Sequence, residues 1–494
     1  MGQHLSLAQA LRASSSTCIA FIGAGGKTTA MFELARTLSR DEGSQPVIVT
    51  ATSHLGIWQI GWADTHIITQ TPAPLEELEH GLKGVILVTG EIEGERTKPI
   101  NDSLLNWLHQ FCGYHAIPLL IEADGSRQKP LKAWAEHEPP IPSFVDLVVQ
   151  VVGLNGLGKP LSDEFVHRAE IYSRLSGLGM GDAITPESLV RVLAHQEGGA
   201  RNIPLHARKV LLLNQADTPQ LQSLAQGLSQ ALLASYDSAV ITSLKQERIF
   251  AAYEPIAGII LAAGESTRYG KPKQLLDWKG QPFVRAVAKT ALQAGLSPVV
   301  VVTGASAGPV ESAVNNLDVA IVRNEQWKSG QASSIKAGIH ALTSASSVLG
   351  LDTSKTLRPR TSHTCPGGRC QGRTLNPPLP TRAPGLRSAR QLGGAIFLLA
   401  DQPQLTASVL RALVEKHAEG LYPIVAPMVI DRRANPVLFD RVTFPDLLTL
   451  EGDVGGRAVF HKHRVEYLPW HDDRLLLDVD TPEMYQRLIS DDTI

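Results

Sequence analysis

Cysteine is scarce in this chain. Its 494 residues include four, Cys18, Cys112, Cys365 and Cys370. They are too few and too scattered for a disulfide framework, so a reducing cytoplasm is the expected setting. Cys365 and Cys370 have no second pair of His or Cys beside them, and two thiols alone cannot close a tetrahedral metal site. An excess of one charge is lacking as well. The formal net charge is −2, which argues against broad binding to nucleic acid or to an anionic membrane. No apolar run approaches the roughly 20 residues of a membrane span. The first residues also lack the hydrophobic segment of a signal peptide.

Length and alternation are what the chain does have. It is too long for one hydrophobic core, so two or three domains are expected. Apolar strand patterns alternate with helical ones over residues 1–250: Thr17–Gly23, Pro46–Thr50, Gly84–Thr89, Pro118–Ala123, Leu147–Val152 and Lys209–Leu213. Tyr253-Glu254-Pro255 reads as a junction, and a second series follows over 251–494: Gly258–Leu261, Pro298–Thr303, Val319–Val322, Ala395–Ala400 and Ile424–Pro427. Such alternation predicts two doubly wound α/β domains, each a parallel sheet flanked by helices. Residues 343–392 interrupt the second series. They are rich in Ser, Thr, Pro, Gly and Arg with almost no acids, and are expected to form a disordered basic insertion.

Residues 256–274 read Ile-Ala-Gly-Ile-Ile-Leu-Ala-Ala-Gly-Glu-Ser-Thr-Arg-Tyr-Gly-Lys-Pro-Lys-Gln. A strand ending at Leu261 runs into Ala262, Ala263 and Gly264, small residues that let a nucleotide approach backbone N–H groups. Arg268 and Lys273 supply the positive charge that a triphosphate needs. Further on, the apolar run Ala395–Ala400 ends in Asp401-Gln402-Pro403. A carboxylate at a strand end suits Mg²⁺, which keeps several waters and bridges phosphates. In Leu477-Asp478-Val479-Asp480-Thr481-Pro482, alternation puts Asp478 and Asp480 on one side of an extended segment. Gly330, Ser333 and Ser334 can cap the helix that follows them.

Leu-Ala-Ala-Gly-x-Ser-x-Arg-x-Gly-x-Pro-Lys-Gln resembles the nucleotidyltransferases that attach a nucleotide to the molybdenum cofactor, and among them the cytidylyltransferase branch of the MobA-like fold. The guanylyl branch reads Leu-Ala-Gly-Gly and lacks the Pro-Lys-Gln run. The resemblance covers about residues 256–494 and implies a Rossmann-like nucleotidyltransferase domain of the nucleotide-diphospho-sugar transferase type. It implies Mg²⁺-dependent transfer of CMP from CTP to the molybdopterin cofactor, with pyrophosphate released and a molybdenum hydroxylase as client. It makes Arg268, Lys273 and Asp401 catalytic and Asp401 a metal ligand, with Asp480, or alternatively Asp478, as the second. Leu261, Ala262, Ala263, Gly264, Gln331 and Ser333 become nucleotide contacts. Asn435, Gly452, Asp453 and Arg457 become acceptor contacts, with Ala434 standing where the family commonly has Gly. All these motifs lie within 251–494, so that segment is expected to act without residues 1–250.

In the first half, Phe21-Ile22-Gly23-Ala24-Gly25-Gly26-Lys27-Thr28 follows a strand and enters a helix. It ends like a phosphate-binding loop, with Phe21 where the full pattern has Gly. Lys27 would meet phosphate oxygens and the Thr28 hydroxyl a metal. The strand at Leu119 ends in Glu122-Ala-Asp124, suited to a water-mediated metal contact. Asn214-Gln215-Ala216-Asp217 resembles the Asn-Lys-x-Asp element that reads guanine, with Gln215 in place of Lys. Together with His137-Glu138-Pro139 and His167-Arg168, these motifs resemble the YqeC family over about residues 5–245. That family is associated with selenium-dependent molybdenum hydroxylases. The resemblance implies a P-loop-like accessory domain with its own nucleoside triphosphate. Two alternatives stay open: guanylyl transfer by the same fold, and a cofactor-insertion chaperone with an NTPase switch.

Overall fold

A computed structural model describes residues 5–14, 17–41, 45–77, 81–266, 269–343 and 392–490. Arg268, Cys365, Cys370 and nearly all of the 343–392 insertion lie outside the described residues. The chain forms two mixed α/β halves, each built on a large sheet.

The first sheet has nine strands. In spatial order they are Arg248–Tyr253, Ser238–Ser243, Arg208–Asn214, Leu147–Gly153, Cys18–Gly23, Leu119–Glu122, Val47–Ala51, Val85–Thr89 and Thr65–Ile68. All pairs are parallel except the one between Ser238–Ser243 and Arg248–Tyr253. Successive side chains of a strand point to opposite faces. Ile19 and Phe21 therefore enter one core cluster, while Cys18, Ala20 and Ile22 enter the other. Both faces are covered, so these strands read as unbroken apolar runs. The six strands expected from sequence are present within one or two residues. Thr65–Ile68, Ser238–Ser243 and Arg248–Tyr253 are additional to that expectation; the first and last are the two edge strands, and Ser238–Ser243 lies next to the Arg248–Tyr253 edge.

The second sheet orders Ala320–Arg323, Val299–Thr303, Ile256–Ala262, Gly394–Leu399, Val437–Asp440, Ile424–Val429 and Arg432–Arg433, with Val465–Pro469 also on Ile424–Val429. Its central pairs are parallel, but Val437–Asp440 is antiparallel to both neighbours. The second half is thus a mixed sheet, a departure from the doubly wound pattern expected. A four-residue strand carries too little periodicity to reveal its direction.

The halves meet along a buried seam. The helix Ala407–Gly420 packs against Arg248–Tyr253, and Ala418 joins the core cluster that holds Tyr253. Arg12 donates to Glu254 Oε2 at 2.8 Å and to Asp440 Oδ1 at 3.1 Å. Arg208 donates to Glu254 Oε1 at 2.8 Å, and His417 Nε2 lies 2.7 Å from Asp440 Oδ2. The side chains of Glu254 and Asp440 are 1% and 0% exposed.

Candidate functional site

The loop after Ile256–Ala262 is held by its own side chains. Ser266 Oγ accepts from the Lys273 N–H at 3.1 Å and donates to Gln274 Oε1 at 3.2 Å. Gln274 is buried and donates to the Gly264 carbonyl at 3.1 Å. Ala262 and Ala263 are buried, whereas a Cβ added at Gly264 would meet nothing within 4 Å. The backbone there borders open space. Leu261 pairs with Val302 and Leu399 of the flanking strands.

Lys273 stands at the mouth of this loop. Its Nζ lies 3.0 Å from Asp401 Oδ2 and 2.7 Å from Asp480 Oδ1. Asp401 follows Gly394–Leu399, so it shares the C-terminal edge of the sheet with the loop; Asp480 arrives just before the helix Pro482–Ser490. Desolvation would lower the Lys273 pKa, but the hydrogen bond to Asp480 and the charge of Asp401 outweigh it and raise it. Asp478 lies on the same segment and accepts from Gln402 Nε2 at 2.8 Å. Desolvation holds its carboxyl above the usual range, helped by the like charges of Asp401 and Asp480. Gln404 Nε2 donates to the Leu477 carbonyl at 2.8 Å. Two glutamines thus tie the 474–480 segment to the turn after Asp401. The sequence reading missed this role, although Gln402 sits inside the Asp-Gln-Pro motif.

A second loop pair sits across the sheet edge. Gly330 has φ +109°, and a Cβ there would collide with the Gly452 backbone. That close approach brings the Gln331 N–H to Asp453 Oδ1 at 3.3 Å and the Ala332 N–H to the Gly452 carbonyl at 3.2 Å. Two expected contact segments, nucleotide and acceptor, therefore touch. Ser333 Oγ donates to the Gly330 carbonyl at 2.8 Å and accepts from Asn324 Nδ2 at 2.8 Å, a helix-start role. Arg457 is exposed on the short helix Gly456–Lys462, and Asn435 is half-buried after the hairpin strand Arg432–Arg433.

In the first half, the loop after Cys18–Gly23 turns through Gly23, Gly25 and Gly26 at φ +96°, +84° and +119°. Lys27 is buried at the start of the helix Lys27–Asp41; its Nζ donates to the Gly23 carbonyl at 3.0 Å and lies 3.4 Å from Asp124 Oδ1. Thr28 Oγ1 donates to Glu122 Oε2 at 2.6 Å. Burial raises the Glu122 pKa against the pull of Lys27 and Thr28. Asp124 is enclosed, receiving the Gly23 N–H at 3.1 Å, Trp134 Nε1 at 2.9 Å and Lys132 Nζ at 2.9 Å. Of the two carboxylates, Glu122 is the one that meets Thr28. Asn214 Nδ2 donates to the Gly25 carbonyl at 2.8 Å, and Asp217 Oδ1 accepts from Ser243 Oγ at 2.6 Å. The Asn214 strand end is thereby fastened to the glycine loop.

The network continues through residues whose partners no local pattern revealed. Lys132 also meets Glu138 Oε2 at 3.1 Å, and Arg168 pairs with the same carboxylate. Burial would raise the Glu138 carboxyl, but Arg168 and Lys132 hold it at about 2. Burial, with Arg168 and Lys132 nearby, lowers His167 to about 4. Lys132 and His167 are direct partners in a short parallel pairing. Gly25→Ala tests the loop geometry. A Cβ there would collide with the Gly153 backbone at a φ that favours glycine, so a loss of about 2 kcal/mol or more is expected in urea unfolding. An unchanged midpoint would show that the loop yields.

Among the described residues, no helix is long and apolar enough to cross a membrane, and no cluster of three or more His, Cys, Asp or Glu could hold a metal. Residues 19–170 match the family described as YqeC protein, and residues 258–467 match the MobA-like NTP transferase domain. The uncharacterized protein YqeC of Escherichia coli (strain K12) is 32% identical over 207 residues, which are 40% of this chain and 75% of that protein. Nicotine blue oxidoreductase of Paenarthrobacter nicotinovorans is 28% identical over 243 residues, 47% of this chain and 96% of that one. The crystal structure of Rv0371c from Mycobacterium tuberculosis H37Rv aligns at 25% identity and a TM-score of 0.34, covering 48% of this chain and 98% of its own. The chain belongs to the YqeC family and joins that domain to a MobA-like NTP transferase domain, a nucleotidyltransferase.

Proposed function

We propose that the second half transfers CMP from CTP to the molybdopterin cofactor and releases pyrophosphate. The observation that carries this reading is Lys273, held between Asp401 and Asp480 at the mouth of the Ala262–Gly264 loop. In the proposed reaction a phosphate of the pterin attacks the α-phosphorus of CTP. Lys273 neutralises charge on the triphosphate, and the loop N–H groups orient it. Two carboxylates that converge on one ammonium also fit a divalent cation with few protein ligands, as Mg²⁺ prefers. Asp401 and Asp480 would hold it, and when bound it would supply charge neutralisation at the phosphates. Gln331, Gly452, Asp453, Asn435 and Arg457 are the proposed contacts to base and acceptor. The cytidylyl preference is supported by Ala263 and the Pro272-Lys273-Gln274 run. Purified protein given the cofactor with CTP, GTP or ATP is expected to release pyrophosphate fastest with CTP. Faster release with GTP would sink the cytidylyl assignment and leave the nucleotidyltransferase standing.

We further propose that residues 1–250 form a P-loop-like unit that binds a nucleotide through Gly23–Thr28, supporting maturation of a molybdenum hydroxylase. Support comes from three glycines at positive φ before a lysine that starts a helix. A triphosphate would draw Lys27 away from Asp124, and Thr28 with Glu122 would face any accompanying metal. Lys27→Ala is expected to abolish nucleotide binding by this half in equilibrium dialysis and to leave transfer unchanged. Suppressed transfer in a variant with a normal melt would mean that the first half gates the second.

A further inference from the structure

A cavity of about 250 Å³ adjoins the segments that carry Asp401 and Asp480. The apolar Trp278, Leu405, Leu477 and Leu488 and the cationic Lys279, Lys289 and Arg474 are among its lining residues, and no Asp or Glu is among the described residues that line it. Arg474 is forked to Asp472 at 2.8 Å, and Lys279 lies over the Trp278 ring at 5.1 Å. Lys289 is different. It is half-buried, its Nζ is held by the neutral Gln281 Oε1 at 2.8 Å, and among the described residues it has no ion pair. A partly buried ammonium held by a neutral amide oxygen, with no carboxylate on it, leaves its charge available to an incoming anion. Gln404 also lines the cavity, and among the described residues its buried Oε1 has no hydrogen-bond partner. The volume is below the ~300–1,000 Å³ of drug-sized pockets, so the ligand is small.

The cavity wall and the catalytic carboxylates share two chain segments. Gln404 Nε2 donates to the carbonyls of Leu477 at 2.8 Å and Arg474 at 3.2 Å. Gln402, two residues away, holds Asp478 at 2.8 Å. A ligand that engages Gln404 or displaces Leu477 must move the peptide leading to Asp480.

We propose that this cavity binds a small phosphate monoester with an apolar body, and that occupancy resets Asp478 and Asp480 relative to Lys273. The regulatory part rests on the nucleotidyltransferase reading of that site; the binding part does not. The probe is phenyl phosphate, titrated calorimetrically into the full chain without nucleotide or metal. Saturable binding is expected, weakened about tenfold by Lys289→Gln, retained by Lys289→Arg, and unchanged within about twofold by Lys273→Ala. Inorganic phosphate, which lacks the apolar body, should bind more weakly. Absence of saturable binding overturns the proposal, and so does binding that survives Lys289→Gln or is lost with Lys273→Ala. In the transfer assay, phenyl phosphate should change the Mg²⁺ concentration for half-maximal rate about fivefold in the native chain and not in Lys289→Gln. An unchanged Mg²⁺ dependence overturns the regulatory part. A chain that binds phenyl phosphate through Lys289 yet transfers no nucleotide would instead overturn the functional reading, and regulation with it.

Discussion

Arg12→Ala is expected to destabilise the full chain by about 3–5 kcal/mol, the cost of stranding buried carboxylates by removing their partner. Arg12 is the cation shared by Glu254 and Asp440, which come from the junction and from the second half. Their side chains are 1% and 0% exposed, so water cannot replace the guanidinium. Arg208 still reaches Glu254 and His417 still reaches Asp440, which places the loss within that range and not beyond it. The pH dependence gives a second readout. Burial alone would raise the Asp440 carboxyl, but His417 and Arg12 hold it at about 2, below its ordinary value of 3.8. Glu254 is likewise lowered, with Arg12 and Arg208 outweighing its burial. Groups whose folded pKa is depressed stabilise the fold above their unfolded pKa and lose that contribution as pH falls through the folded value. The native chain should therefore lose stability between about pH 4 and pH 2 on account of Asp440. The deficit of Arg12→Ala should be largest at neutral pH and shrink on acidification, because protonation relieves the stranded charges. Urea unfolding at a series of pH values measures both. A deficit below about 1 kcal/mol, the scale of an exposed pair, would show that the seam opens to solvent.

The same seam qualifies the expectation that residues 251–494 act alone. Deleting residues 1–250 removes Arg12 and Arg208 together and uncovers Ala418, which packs in the cluster around Tyr253. The isolated segment should melt well below the full chain. Any transfer activity it has should fall off with that lower transition.

Asp401→Asn is expected to slow transfer about a hundredfold, corresponding to ~3 kcal/mol of transition-state stabilisation. The substitution keeps the side-chain shape and removes one of two charges facing Lys273. Asp480→Asn should have a similar effect, because its Oδ1 lies 2.7 Å from the same ammonium. Asp478→Asn should cost less, since its carboxylate is occupied by Gln402. Lys27→Ala, in the other half, should leave these rates alone. Pyrophosphate release across a Mg²⁺ titration separates the cases: loss of a ligand raises the Mg²⁺ requirement, while loss of positioning lowers the maximal rate. Near-normal transfer by Asp401→Asn at low Mg²⁺ would remove Asp401 from the catalytic assignment.

The contiguous parts of both candidate sites were legible in the sequence. Small residues at 262–264, Lys273 after a proline, and Gly23–Thr28 after a strand are local patterns, and backbone sterics and turn chemistry act over a few residues. Asp401 could be found because a buried parallel strand reads as an apolar run that stops at the sheet edge. By itself, then, the sequence determined the two alternating series, the glycine loops at strand ends and the family of each half. It did not determine which distant groups pair. Only the folded sheet order put Asp480 on Lys273, 207 residues away, Asn214 on Gly25, 189 residues away, and Arg12 on Asp440, 428 residues away. The direction of Val437–Asp440 was likewise settled only by its neighbours. Charge pairing acts through space at a few ångströms, so its partners are fixed by packing and leave no periodic trace along the chain.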